Sequence, residues 1–92
     1  MSLRTWNEIL TASAGTIIIN DTDAYTAKPV YAVYVVEDTV FNVLTDDAGN
    51  DKDDYITTAA TAVKAGVLIT PFDKQKPFVN IDLTSGSVVA IL

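Results

Sequence analysis

The last third of the chain, residues 65–92, constrains the fold most: AGVLITPFDKQKPFVNIDLTSGSVVAIL reads as strand, loop, strand, tight turn, strand. Gly66 marks a place where the backbone needs a turn or a positive φ. Residues 67–70 are short and rich in β-branched side chains, the composition of a strand. Pro71 closes that strand, because proline has no N–H to give to a ladder. A polar loop, residues 73–76, is bounded by Pro77. Val79, Ile81 and Leu83 then alternate with Asn80, Asp82 and Thr84, and a period of two predicts one buried and one polar face. Ser85-Gly86 fits a hairpin turn, since glycine supplies the positive φ that primed turns require. Residues 87–92 are expected to run back antiparallel and are apolar on both faces. Something must cover such a strand: the second sheet with an N-terminal segment, or another subunit.

Upstream, residues 16–19 (TIII) read as a buried strand, and Asn20-Asp21-Thr22-Asp23 as a turn whose side chains bond their own backbone. Residues 30–36 (VYAVYVV) form the strongest strand, apolar on both faces, and belong centrally in a sheet or at an oligomer seam. Glu37-Asp38 makes a turn. Residues 39–45 are a further strand, with Phe41 and Val43 on one face and Val40, Asn42 and Leu44 on the other. Residues 55–58 suit a short edge strand, and residues 59–65 an irregular crossing segment, where alanines favour helix and the threonines and Val63 do not. The expected fold is all-β: a small antiparallel β-sandwich or barrel, jelly-roll-like, spanning residues 16–92 as one domain behind an N-terminal arm of residues 1–15.

Composition narrows the function more than it names it. A chain of 92 residues buries only about 60–65% of its unfolded surface, so its own core is thin. Cysteine is absent, which excludes disulfides and thiolate metal sites. Histidine is absent too, and with it the usual general base and metal ligand. A net charge of −6 argues against nucleic-acid binding and against an anionic membrane surface. No apolar run approaches the roughly 20 residues of a membrane span, and residues 1–10 lack the apolar core of a signal peptide. The serines have no histidine to activate them, the acids lie mostly in loops, and no glycine-rich phosphate loop is present, so no catalytic role and no cofactor are expected.

The candidate interface residues are Trp6, Ile9, Leu10, Tyr31 and Tyr34. The first three have the spacing of one helical face. They fold onto the chain's own core, or dock its only tryptophan on a neighbouring subunit, as large aromatics do at interfaces. Tyr31 and Tyr34 are read as core or interface residues with their hydroxyls at the rim, in preference to a ligand platform. Five aspartates within residues 46–54 invite a calcium or magnesium reading, but the spacing is not that of an EF-hand, and a solvated hairpin tip is the plainer account. Tyr25, Tyr55, Phe72 and Phe78 suit carbohydrate stacking by type but are scattered along the chain.

Residues 30–92 resemble small virion proteins of tailed bacteriophages. The elements that carry the likeness are TVFNVLT (39–45), the acidic glycine-bearing loop, AGVLI (65–69), the Phe-x-x-Ile-x-Leu strand of Phe78, Ile81 and Leu83, and the ending SGSVVA (85–90). Such proteins resemble capsid decoration (cement) proteins and related auxiliary head components; an aromatic common near the end of that pattern is replaced here by Ile91-Leu92. The resemblance implies a structural protein made in the host cytoplasm that binds the major capsid protein or another virion protein on the outer shell and stabilises the head. It implies a homo-oligomer, a trimer above others. The alternatives are a head-fibre or tail-tip adaptor, and a small carbohydrate-binding module.

Overall fold

The computed structural model describes residues 15–92. Its elements are β1 (Thr16–Ile19), β2 (Ala32–Val35), β3 (Val40–Asp46), a one-turn helix α1 (Lys52–Tyr55), β4 (Leu68–Ile69), β5 (Phe78–Ser85) and β6 (Val88–Ile91). They form two antiparallel sheets, one of four strands in the order β1-β6-β2-β4 and one of β3 with β5. The fold is therefore all-β and antiparallel. Among the described residues no helix is long and apolar enough to cross a membrane.

The two sheets close over one core. Ile19, Val33, Val35, Val88 and Ala90 come from the four-stranded sheet, and Phe41, Leu44, Phe78, Ile81 and Leu83 from the other. Each of these side chains other than Ala90 contributes about 1.5–3 kcal/mol by leaving water. As expected, β6 is apolar on both faces: Val88 and Ala90 enter the core, while Ile91 and its neighbour Ala32 are buried outside that cluster.

Ser85-Gly86 does not make the expected hairpin. β5 pairs with β3, whereas β6 lies between β1 and β2, so this turn carries the chain from one sheet to the other. The crossing is fixed by a tight junction with residues 36–39. Val36 and Glu37 both donate their N–H to the Ser87 carbonyl (3.1 and 3.3 Å), and Ser87 Oγ donates to Glu37 Oε1 at 2.6 Å. Gly86 has φ +92°, and a Cβ there would stand 2.6 Å from the Asp38 carbonyl oxygen, so only glycine fits.

Alternation also fails in two strands. Register shifts around Phe41 and Val43 put Phe41 and Leu44 into the core together and leave Val43 half-buried, against the expected pairing of Phe41 with Val43. In β5, Phe78, Ile81 and Leu83 are buried, but Val79, expected inside, is 40% exposed because the register shifts again between Thr45 and Asp46. Residues 55–58 form no strand; Tyr55 ends α1 instead. Residues 59–65 are irregular, as expected, with Val63 bridging Thr39.

Candidate functional site

The four-stranded sheet has two margins, and they are built differently. β4 is only two residues long, entered through Gly66 at φ +92° and ended within two residues by Pro71. Asp38 locks the entry: its Oδ1 accepts the Ala65 N–H at 3.0 Å and its Oδ2 the Lys64 ammonium at 3.3 Å. Those two bonds, the backbone one foremost, hold the Asp38 carboxyl below its usual pKa. Short length and a nearby proline are how natural sheets blunt an edge.

β1 has none of these devices. It is four residues long, three of them isoleucine, and it carries no lysine, proline or register shift. The expectation of a buried strand is corrected: only Ile19 is buried, and Ile17 and Ile18 are 37% and 65% exposed. The reason is position, since among the described residues β1 is outermost and has β6 on one side only. Leu92 donates its N–H to the Gly15 carbonyl at 2.8 Å. Hydrogen-bonded and non-bonded pairs alternate along an antiparallel ladder. Ile17 and Ile19 therefore direct their backbone groups toward β6, and Thr16 and Ile18 direct theirs to the open side. Ile18 also begins a row across the outer face, Ile18–Val89–Tyr34–Leu68, set by the register of four strands.

Past β1 the chain turns through Asp21, whose Oδ1 accepts the Asp23 N–H at 3.1 Å. A shallow open depression of ≈ 160 Å³ lies here, with Ile17, Ile18 and Ile19 beside Asp21, Asp23 and Tyr25. Among the described residues, no lysine or arginine lines it.

At the far end of β3 the acidic loop is organised around Asp46; its other four aspartates are exposed, as expected of a solvated loop, but it is not a hairpin tip and Asp46 itself is not solvated. β3 pairs with β5 across the molecule, and Asp46 is buried. Its carboxylate accepts the N–H of Ala48 and of Asn50 (both 2.9 Å), the Asn50 side-chain amide (3.0 Å) and the Tyr55 hydroxyl. Burial works to raise its pKa, but these four bonds outweigh burial and hold it below the ordinary value. Asp51 caps α1 reciprocally with Asp54. Among the described residues no group of three or more acids is placed to hold a metal ion.

Three aromatics that are scattered in sequence meet beside this loop. Tyr55 stacks on Phe72 at 4.1 Å and meets the edge of Phe78 at 5.1 Å. Phe72 is 64% exposed and donates its N–H to the Tyr55 hydroxyl. Tyr25 lies elsewhere, bridged to Ile81.

Of the expected interface residues, Tyr31 is exposed beside the end of β6, donating its N–H to the Ile91 carbonyl, and Tyr34 is half-buried in the outer-face row. Trp6, Ile9 and Leu10 lie outside the described residues. Sequence reasoning missed β1 as an edge, because a run of isoleucines looks alike whether one side or both sides are covered. No family model, curated protein or solved structure matches this chain.

Proposed function

We propose that this chain is a non-catalytic structural protein of a tailed-phage virion, a decoration or cement protein that binds the outer capsid surface and stabilises the head. The observation that carries the reading is the β1 margin, open among the described residues: natural sheets guard such an edge unless something is meant to cover it. The partner is the major capsid protein or another virion protein, and the chain acts as a homo-oligomer, a trimer above others. Each copy that binds only the assembled shell shifts the equilibrium toward assembly. Repeated weak contacts add up through avidity.

The test is the copy number of this chain relative to the major capsid protein, by quantitative mass spectrometry of purified particles. One copy per shell subunit, or a simple fraction of one, is expected. A handful per particle would move the chain to a head-fibre or tail-tip adaptor, and absence would overturn the virion reading. A carbohydrate-binding module is favoured by one observation, the exposed Phe72 ring on its Tyr55 support, and glycan-array binding lost in Phe72→Ala is its test.

A further inference from the structure

We infer that the open margin of β1 is a strand-addition site that takes an extended apolar segment of a partner protein carrying a lysine or arginine. This deepens the docking role proposed above and rests on it. Three observations meet at this edge. The backbone groups of Thr16 and Ile18 point away from β6, which is the template an added strand requires. Two of its isoleucines, Ile17 and Ile18, are exposed, Ile18 above all. At its C-terminal end, Asp21 and Asp23 line the same depression as the three isoleucines, and no basic residue lines it among the described residues.

That combination fits one type of side chain. Lysine and arginine lay an apolar stem on apolar surface while the charged head stays with water or a carboxylate. A strand added antiparallel to β1 brings its own N-terminal end beside Asp21 and Asp23, so the basic residue belongs at the N-terminal side of the partner segment. A second copy of this chain is a poorer occupant. Pairing β1 with itself brings together two chains of net charge −6, and the paired strand offers Asp21 and Asp23 no lysine or arginine.

The test is amide hydrogen exchange by NMR on the full chain with two blocked synthetic peptides, Lys-Val-Thr-Val-Thr-Val and its counterpart with glutamate first. With the lysine peptide at saturation, the Thr16 and Ile18 amides are expected to slow at least tenfold while Ile17 and Ile19 change little. The glutamate peptide is expected to bind at least tenfold more weakly, and Asp21→Asn with Asp23→Asn to erase that difference. Three results would each overturn the inference. One is no added protection at Thr16 and Ile18. Another is equal binding of the two peptides. The third is protection of these amides in the free protein that rises with protein concentration, which assigns the edge to a second copy. The readout uses no virus particle, so a negative result here leaves the copy-number result standing, and the reverse.

Discussion

The β1 margin and the Asp46 loop are both surface regions of a small acidic β-protein, yet one is open and the other closed. At the Asp46 loop, polar side chains satisfy the backbone from within: one buried carboxylate gathers four hydrogen bonds and holds the turn, α1 and Tyr55 together. At β1 the side chains are isoleucine and threonine, and no described residue pairs the outer backbone groups. The β4 margin shows that the same sheet can be closed with little material, a glycine turn, a proline and one aspartate. Closure in this fold is a matter of polar groups placed at strand ends. β1 has a glycine before it and an aspartate turn after it, but neither the shortness nor the nearby proline of β4, and that singles its edge out as a place for a partner.

The largest way to break this contrast is to disturb the crossing that puts β6 beside β1. Gly86→Ala forces a side chain into a positive φ and against Asp38 and Thr39. It is expected to destabilise by about 3 kcal/mol, read as a lower urea midpoint at unchanged slope. If the variant is as stable as the parent, the junction at residues 36–39 does not set the sheet order.

Next in size is the closed region itself. Asp46→Ala leaves the Tyr55 hydroxyl and the Ala48 and Asn50 amides without their acceptor, and is expected to cost about 2–3 kcal/mol. Its pH signature has a definite sign. The folded pKa of Asp46 is lowered, so its contribution is fully present above the unfolded value near 3.8 and is lost as pH falls through the folded value. Asp38, lowered likewise, adds to the same acid limb. Asp46→Asn should therefore flatten, without abolishing, the acid dependence of stability. Tyr55 carries the complementary mark: burial, then Asp46, push its hydroxyl up to about 12. Its contribution is intact below the unfolded value near 10 and is lost as pH rises toward 12. Phenolate absorbance should show one tyrosine titrating late, and Asp46→Asn should bring it earlier.

The loop also shows what the sequence could and could not reveal. Strand existence was legible for most elements because β-branched runs ended in glycine, proline or acid turns: Gly66 and Pro71 around β4 were read correctly from residue type alone. Pairing was not legible. Ser85-Gly86 has the chemistry of a hairpin, and only the fit of Gly86 against Asp38 and Thr39, far away in the chain, makes it a crossing. Alternation misled at Val43 and Val79, because a register shift moves a side chain to the other face without leaving a mark in composition. Asp46 looked like its four acidic neighbours, since nothing local tells a buried hydrogen-bonded aspartate from a solvated one. The stacking of Phe72 on Tyr55, seventeen positions apart, was hidden for the same reason.

The smallest expected effect on stability sharpens the comparison most. Ile18 is exposed, makes no core contact, and lies on the outer face of the strand whose backbone is uncovered. Ile18→Lys should leave stability within about 0.5 kcal/mol, as surface substitutions do. A lysine on an edge strand is also the device by which proteins discourage strand addition. The same change should therefore abolish peptide protection of the Thr16 amide while the urea midpoint stays put. A core residue cannot give that pattern, because losing its packing lowers the midpoint together with any binding it supports. If Ile18→Lys instead destabilises by 2 kcal/mol or more, the isoleucine is covered in solution. β1 then belongs with the Asp46 loop, among the parts of this chain that are closed from within.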